Sequence, residues 1–251
     1  MLAFRIVLLA GLAALAGCGD TATDLPRVAH AGGGVNNWAY TNTFEALDFN
    51  RDHFELFEID LSWTADDQLV CVHDWQYNAE YIFQRRFDTR PTLAEFEQLV
   101  SENPYVKNCT LDTLVEWLKA HPGKRLVPDI KERELEGLAR IAERFDQVGD
   151  HVIAQMYDPA QYEQIRALGY RDIIWGLYKV YLMPLDEIID HANDMELFAV
   201  SMPRRMAERG DGKALGEAGI ATYVHTVNTQ RELEYYRSRG VDDIYTDWLA
   251  P

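Results

Sequence analysis

The sequence predicts a single (β/α)₈ barrel, an α/β fold, over residues 27–251. From Arg27 onward, short β-branched or apolar runs alternate with amphipathic helical stretches about every 20 to 30 residues, which is the pattern of βα units and a parallel sheet. The runs supply eight strand candidates, and an α/β barrel of about 200 to 250 residues forms one domain. One barrel therefore accounts for this whole region.

The N-terminal segment is predicted to be an export signal of the lipoprotein type. It has an apolar run over residues 6–16, followed by Leu15-Ala16-Gly17-Cys18. The run is shorter than the roughly 20 residues that a membrane-spanning helix needs, and the string is typical of a bacterial lipobox. We therefore predict a signal peptide at 1–17, lipidation of Cys18 and a polar tether at 18–26, on a membrane of the bacterial cell envelope. An ordinary secretory signal and an uncleaved anchor are the alternatives.

Strand and helix candidates follow one another through the barrel region. The strand candidates are 27–31, 56–61, 125–130, 151–156, 172–176, 197–202, 222–227 and 243–245. The helix candidates are 43–50, 110–120, 132–146, 159–168, 185–194, 212–218 and 230–238. Thr43 and Thr110 are suitable N-caps, and Gly169, Gly219 and Gly240 lie just past three helix ends, as helix start and stop rules expect. Barrel enzymes place their chemistry at the carboxyl ends of the strands, so the residues that follow each strand are candidates for a site.

A long insertion, at about residues 62–108, follows the second strand. It contains an extra extended segment at 68–73 and is rich in aromatic residues, and we predict that it forms a lid or a small subdomain. The aromatic residues include Trp63, Trp75, Tyr77, Tyr81 and Phe83. They would suit a substrate rim, and packing of the insertion onto its own barrel explains them equally well.

The composition excludes some classes of function. The chain has 24 Lys and Arg residues against 41 Asp and Glu residues, which gives a formal net charge of −17. Such acidity argues against nucleic acid as a partner. A phosphate ester substrate would need a local cation to offset the negative field, and a bound divalent metal is the simplest candidate.

Two cysteines, Cys71 and Cys109, remain besides Cys18. An exported protein can form disulfides, and neither cysteine has the partners at the spacing that a zinc site requires. We therefore predict structural roles for both residues, and a bridge between them is one way to fill these roles.

Two acidic residues lie at the end of the second strand. Glu58 and Asp60 share one face, because successive side chains of a strand alternate between faces, while Phe57, Ile59 and Leu61 take the other. Two carboxylates on an otherwise apolar strand repel each other and lose hydration unless a cation lies between them. The pattern predicts a metal site, and a solvated charged pair is the alternative.

The third strand ends in Asp129 and Lys131, which are again two residues apart and so point together into the mouth of the barrel. The carboxylates of Glu58, Asp60 and Asp129 suit Mg²⁺ or Ca²⁺ better than zinc. Lys131 would then neutralise a phosphate oxygen. The alternative for Lys131 is a surface lysine just past a strand.

Two histidines complete the candidate site. His30 ends the first strand and precedes glycines 32–34, where the backbone can approach a ligand, and His73 ends the extra extended segment. Two histidines beside a metal that orients a phosphodiester can serve as general base and general acid, although His30 alone would be only a polar strand-end residue. The predicted surface or capping histidines are His53, His121, His151 and His191, whereas His225 is ambiguous.

In order and spacing, seven short motifs resemble those of the glycerophosphodiester phosphodiesterases. They are His30-Ala-Gly, Asn42-Thr43 with Glu45-Ala46, Glu58-Ile-Asp60, Val72-His73-Asp74, Asp129-Ile-Lys131, Thr226-Val227-Asn228 and Tyr245-Thr246-Asp247. The resemblance covers residue 27 to the C-terminus and implies the same barrel. It also implies that His30 and His73 form the acid/base pair, that Glu58, Asp60 and Asp129 bind the metal, and that Lys131 and Asn42 contact the substrate.

The chain departs from the family pattern at several motifs. The family usually has His-Arg-Gly where this chain has His30-Ala31-Gly32, so a phosphate-binding arginine is missing from its usual place. Its Pro-Glu-Asn-Thr is Tyr40-Thr41-Asn42-Thr43 here, and the aromatic residue usual on its seventh strand is His225. Its Glu-x-Lys is Asp129-Ile-Lys131, a form that also occurs in the related sphingomyelinase D-type phospholipases.

The missing arginine leads to a further expectation about how the phosphate anion is bound. We expect a compensating donor near His30, either the glycine-rich backbone of residues 32–34, whose amides can cradle an anion, or Arg85 or Arg86 from the insertion.

The predicted function is metal-dependent hydrolysis of a phosphodiester. The substrate is most simply a glycerophosphodiester, cleaved to an alcohol and a phosphomonoester of the sn-glycerol 3-phosphate type. Two alternatives remain at this point. One is a phospholipase of the C or D type that acts on intact or lyso phospholipids, and the other is a non-catalytic envelope binding protein on the same barrel, for which Ala31 is the best argument.

Overall fold

The structure, a computed structural model, describes residues 25–251. The predicted signal peptide, the lipidation of Cys18 and most of the tether therefore lie outside the described residues. Within the described part of the chain, no helix is long and apolar enough to cross a membrane.

The fold is mixed α/β, with nine strands and ten α-helices along residues 25–251. The strands are β1 (Val28–Ala29), β2 (Leu56–Trp63), β3 (Leu69–Val70), β4 (Arg125–Ile130), β5 (Ala154–Met156), β6 (Ile173–Gly176), β7 (Ala199–Pro203), β8 (Thr222–His225) and β9 (Asp243–Thr246). All eight predicted strands are present, and β3 corresponds to the extra extended segment. β1 is shorter than predicted because a 3₁₀ turn over His30–Gly32 follows it directly.

The helices alternate with the strands. They are α1 (Phe44–Asn50), α2 (Asn78–Phe83), α3 (Leu93–Glu102), α4 (Leu111–Ala120), α5 (Glu134–Ala142), α6 (Tyr162–Ala167), α7 (Leu185–Asn193), α8 (Arg204–Arg209), α9 (Asp211–Glu217) and α10 (Gln230–Arg237). Thr43 and Thr110 are the predicted N-caps, and their side chains accept hydrogen bonds from the amides of Ala46 and Thr113. No helix was predicted at α2, α3 or α8.

The strands curl into a mostly parallel, barrel-like sheet. β1 lies between β2 and β9, β2 pairs with β4, and β5 to β9 follow one another in order, all of them parallel. A parallel bridge between Leu126 and Val152 joins β4 to the chain that enters β5. Since the eight parallel strands run in one direction, their carboxyl ends meet on one face, which we call the carboxyl-end face.

The opposite face, the amino-end face, is closed by apolar side chains. Each parallel strand contributes one buried residue, within two positions of its first residue, to an interior layer of Val28, Leu56, Val127, Ile153, Ile174, Ala199, Tyr223 and Tyr245. Leu25, Phe198 and Ala221 pack against this layer. The chain therefore enters the barrel at the amino-end face, where the Tyr223 hydroxyl donates to the Pro26 carbonyl at 2.5 Å.

The connection between β2 and β4 carries β3, α2, α3 and α4. β3 pairs antiparallel with the end of β2, with Ser62 opposite Val70. The aromatic residues of this connection include a buried group and an exposed group. Trp75 and Phe83 pack with Phe87 and Phe96 in a small separate core, whereas Tyr77 and Tyr81 are exposed.

A disulfide joins Cys71 to Cys109 within this connection. Both residues are fully buried, and Cys71 lies two residues before His73. The bridge therefore ties the start of the His73 loop to the segment that leads into α4.

Replacing both Cys71 and Cys109 by serine should lower the free energy of unfolding by about 4 kcal/mol. The reason is that a cross-link over 38 residues restricts the unfolded chain, with a loop-entropy effect of this order. Urea unfolding of the oxidised wild type and the double variant measures the difference. A loss below about 1 kcal/mol would mean that the bridge contributes little to stability.

Candidate active site

Four segments at the carboxyl-end face bring the predicted site residues together. His30 directly follows β1, Glu58 and Asp60 lie on β2, Asp129 is the second-last residue of β4, and His73 lies in the loop after β3. These residues, together with Lys131, line one cavity of about 440 Å³. The sheet therefore places in one cavity every predicted catalytic and metal-binding residue.

Three carboxylates converge in the cavity. Glu58, Asp60 and Asp129 each offer an oxygen, and these atoms lie within 4.8 Å of one another. The convergence follows from strand register, because Asp60 on β2 is the direct neighbour of Asp129 on β4. Glu58 and Asp60 are buried. A set of three hard oxygen donors fits a divalent cation such as Mg²⁺ or Ca²⁺, so these residues can hold a metal ion.

One neutral donor holds each carboxylate in place. The Ala31 amide donates to Glu58 Oε2 at 2.7 Å. The Asn42 side-chain amide donates to Asp60 Oδ2 at 2.9 Å. The Tyr157 hydroxyl donates to Asp129 Oδ1 at 2.8 Å.

Lys131 lies between two of the carboxylates. Its Nζ is 2.5 Å from Asp60 Oδ1 and 2.5 Å from Asp129 Oδ2. Burial opposes a charged lysine, but the charges of Asp60 and Asp129 outweigh it and raise the pKa of Lys131. Lys131 therefore stays charged, and it neutralises only part of the negative charge of the three carboxylates.

The two carboxyls of β2 respond differently to this field. Burial, followed by the charge of Asp60, raises the pKa of Glu58 well above its usual range. For Asp60, burial acts in the same direction, but the Lys131 ammonium and the two histidines outweigh it and lower the pKa. Adding a cation would favour the ionised form of both groups, because opposite charge stabilises a carboxylate.

His30 is held by a carboxylate on its Nδ1 side. Nδ1 lies 2.8 Å from Asp247 Oδ1, and the Asn228 amide donates to Asp247 Oδ2 at 2.6 Å. Burial would lower the pKa of His30, but the hydrogen bond to Asp247 and the charges of Glu58, Asp247 and Asp60 raise it to about 9. Without a metal, His30 is therefore protonated at neutral pH.

His73 is held in a similar way but is more exposed. Its Nδ1 lies 2.8 Å from Asp74 Oδ2, and Ser62 Oγ donates to its carbonyl at 3.0 Å. Since a carboxylate only accepts hydrogen bonds, Nδ1 carries a proton and Nε2 is the free nitrogen of a neutral His73. Tyr40 lies between the histidines, with its ring centroid 5.1 Å from each of theirs.

His225, which the sequence left ambiguous, lies inside the cavity. Its ring contacts Tyr178 and Tyr245, with centroids 4.5 Å and 5.1 Å away. Burial, then the charges of His30 and Lys131, lower the pKa of His225 to about 3. His225 is therefore neutral at physiological pH. Its ring packs as part of the aromatic lining of the cavity and does not carry a proton in catalysis.

Asn42 bonds to one of the three converging carboxylates, Asp60. It is fully buried, and its side chain bonds to Asp60 twice, because the Asp60 amide also donates to Asn42 Oδ1 at 2.9 Å. The cavity-lining residues do not include it. Substrate binding by Asn42 stays a prediction, and its contacts are those of a residue that orients Asp60.

Four of the groups expected to replace the missing arginine are engaged or located elsewhere. The amides of Gly33 and Gly34 already donate to the carbonyls of His30 and Asp247. Arg85 and Arg86 line a separate cavity beside α3. The second lysine of the central cavity is instead Lys179, whose ammonium lies 4.5 Å from the centre of the Tyr157 ring.

The sequence did not predict a role at the site for several residues that line the cavity. Tyr157 follows β5, and Tyr178 and Lys179 follow β6. A signal was available, because residues just past a barrel strand point to the mouth. Tyrosine and lysine are common at such positions, however, so the pattern alone does not separate these three residues from surface residues.

The likeness to solved structures agrees with the fold. A glycerophosphodiester phosphodiesterase from Thermotoga maritima superposes with a TM-score of 0.69 at 19% identity, covering 88% of this chain and 93% of that one. A putative glycerophosphodiester phosphodiesterase from Galdieria sulphuraria gives 0.68 at 17%, covering 88% and 93%. An Oleispira antarctica phosphodiesterase in complex with the product sn-glycerol-3-phosphate gives 0.65 at 18%, covering 88% and 92%.

Sequence comparison adds no relative. No protein-family model matches the chain, and no curated protein does either. The resemblance to glycerophosphodiester phosphodiesterases that the motifs predict is therefore confirmed as a shared fold.

Proposed function

We propose that this protein hydrolyses a phosphodiester with the help of a divalent metal ion. The substrate class is a glycerophosphodiester, and the products are an alcohol and a phosphomonoester of the sn-glycerol 3-phosphate type. The observation that carries the proposal is the single cavity in which two carboxylate-held histidines lie beside three converging carboxylates.

In this proposal Glu58, Asp60 and Asp129 hold the metal ion. When bound, such an ion polarises the phosphoryl oxygens and offsets the charge of the diester. The buried carboxylates of Glu58 and Asp60 favour this assignment, because their repulsion and lost hydration need a compensating cation. Lys131 touches two of the three groups and is placed to meet a non-bridging oxygen of the substrate.

The histidines divide the proton transfer between them. His30 holds a proton on Nδ1 against Asp247, so a second proton on its Nε2 can be donated to the departing alkoxide. His73, fixed by Asp74, offers Nε2 as the base that takes a proton from the nucleophile. The nucleophile is water or a neighbouring hydroxyl of the substrate, and the second choice would give a cyclic phosphate first.

In this proposal Lys179 takes over part of the phosphate-binding role of the missing arginine. Its side chain is 62% exposed, and its ammonium is 3.7 Å from Oε2 of the buried Glu134. A move of Lys179 toward a substrate would therefore cost this ion pair. The position across the cavity suits a contact with the phosphate or with an anionic leaving group.

A phospholipase that acts on intact phospholipid is the second candidate. The exposed Tyr81 and Tyr105 favour it. Their ring centroids lie 6.2 Å and 6.4 Å from that of the half-buried Trp38. Tyrosine and tryptophan are enriched where proteins meet the lipid interface. We further propose, from the sequence, that residues 1–17 direct export and that Cys18 carries a lipid anchor in the bacterial envelope.

Chelation should abolish the activity of the purified protein, residues 19–251, on glycerophosphodiesters. Added Mg²⁺ or Ca²⁺ should restore it, because without a cation the three carboxylates repel the negatively charged diester. The assay compares glycerophosphodiesters, lysolipids and phospholipids, with and without chelator.

Each alternative gives a different result in this assay. Preference for intact or lyso lipids would support the phospholipase. Binding without turnover on all three substrate classes would support the binding protein. Undiminished activity in excess chelator would contradict the metal-dependent mechanism.

A further inference from the structure

We propose that Tyr157 is a positioning residue that fixes the Asp129 carboxylate for cation binding. The inference rests on the proposed function, in which Glu58, Asp60 and Asp129 hold a metal ion. It adds a residue outside the motifs that the sequence analysis identified.

The Tyr157 hydroxyl has partners for both of its hydrogen-bonding roles. It donates to Asp129 Oδ1 at 2.8 Å, since the carboxylate can only accept. Its oxygen accepts from Gln155 Nε2 at 2.7 Å, and the Tyr245 hydroxyl donates to Gln155 Oε1 at 3.3 Å. The chain of bonds thus runs in one direction, from Tyr245 through Gln155 and Tyr157 to Asp129.

The backbone of Tyr157 is also fixed. Its amide donates to Glu134 Oε1 at 3.1 Å, and its carbonyl accepts from Trp175 Nε1 at 3.3 Å. With the main chain and the hydroxyl both held, the ring has little freedom to leave Asp129.

Gly176 provides the space that the Tyr157 ring occupies. A Cβ built on Gly176 would lie 2.6 Å from Tyr157 Cε1 and 2.9 Å from Cδ1, closer than carbon atoms can approach. Any larger residue at this position on β6 would push the ring away from Asp129. The glycine is thus needed for ring placement, since its own φ lies outside the left-handed region.

Asp129 needs such support because the Lys131 ammonium attracts the carboxylate oxygen that Tyr157 does not bind. Lys131 Nζ lies 2.5 Å from Asp129 Oδ2 and Tyr157 holds Oδ1, so the carboxylate is fixed between two donors. Without the tyrosine hydroxyl, Asp129 is free to turn toward the ammonium. Its oxygen would then be less available to a cation, which must compete with Lys131.

The test uses the Tyr157→Phe variant, which removes one oxygen atom and keeps the ring. Calorimetric titration of the metal-stripped protein with Mg²⁺ and with Ca²⁺ should give a Kd about 10- to 100-fold weaker than that of the wild type, the usual effect of losing a residue that orients a metal ligand. Tyr178→Phe is the matched control. Its hydroxyl lines the same cavity but bonds to the His225 carbonyl, so its Kd should match the wild type.

A second variant keeps the hydroxyl and moves it. Gly176→Ala should weaken metal binding in the same direction, because the added Cβ displaces the ring, whereas Gly216→Ala on α9, where a Cβ meets nothing closer than 3.8 Å, should not. Thermal unfolding without metal checks that each variant folds.

The outcomes separate this inference from the proposed function. If the wild type binds metal and Tyr157→Phe binds it equally well, the positioning role is wrong while the metal site stands. A fall in kcat with unchanged metal affinity would likewise overturn it, since Tyr157 would then act on the substrate. Absence of metal binding by the wild type would overturn both.

Discussion

Replacement of either His30 or His73 by asparagine should lower kcat on the best phosphodiester by about 10²- to 10⁴-fold. This is the range expected for loss of a general acid or base. Both side chains line the cavity, and each has its Nδ1 fixed by a carboxylate, Asp247 for His30 and Asp74 for His73. KM should change little, because neither ring is the principal charge partner of the diester. Steady-state kinetics at saturating metal measures both quantities.

The control for these variants is His53→Asn. His53 is an exposed histidine just past α1, so its replacement should leave kcat unchanged. Asp247→Asn should fall between the two, since it keeps the His30 ring but removes the carboxylate that holds its proton. Should His30→Asn and His73→Asn both retain more than a tenth of the wild-type kcat while remaining folded, the acid/base assignment would be wrong.

Lys131→Ala should lower kcat/KM by about 10²- to 10³-fold, or roughly 3 to 4 kcal/mol of transition-state stabilisation, comparable to the loss of an oxyanion donor. The reason is that Lys131 is the cation buried against Asp60 and Asp129, whereas Lys179 is largely exposed. The comparison is made at saturating metal, because removing the ammonium also removes a competitor for the carboxylates.

Ala31→Arg is the companion variant, since it restores the residue usual in the resembled family. Ala31 is fully buried and has a φ of 48°, so a long side chain there meets a packed environment and a backbone that disfavours it. We expect activity to stay modest or to fall. A large gain from Ala31→Arg together with little loss from Lys131→Ala would identify the site as a decayed remnant and would support a binding protein.

Much of the site could be predicted from two simple rules. The alternation of faces along a strand placed Glu58 with Asp60 and Asp129 with Lys131. The barrel rule placed both pairs at the carboxyl-end face. Which residues of two strands lie side by side, such as Asp60 and Asp129, depends on register, which the sequence alone did not specify.

The remaining residues were missed because their roles depend on distant contacts. Tyr157 acts on Asp129 across 28 positions of the chain, and only the folded barrel brings the two together. The bonds from Asn42 to Asp60 span 18 positions and were likewise not predicted, and substrate binding by Asn42 stays a prediction. The helix at α8 escaped because its sequence, Arg204-Arg-Met-Ala-Glu-Arg209, directly follows Pro203 and is mostly charged, so it lacks a clear apolar period.

The entry of the chain at the amino-end face has a consequence for orientation. If Cys18 carries a lipid, as we propose, the seven residues from 18 to 24 would reach at most about 25 Å even when fully extended. Leu25 packs against the apolar layer of the amino-end face. A tether of this length would therefore hold the amino-end face toward the bilayer and the carboxyl-end face toward the aqueous compartment. With a lipid on Cys18, a barrel held in this orientation would meet dissolved diesters more readily than the lipids of its own leaflet, as the proposed activity on glycerophosphodiesters expects.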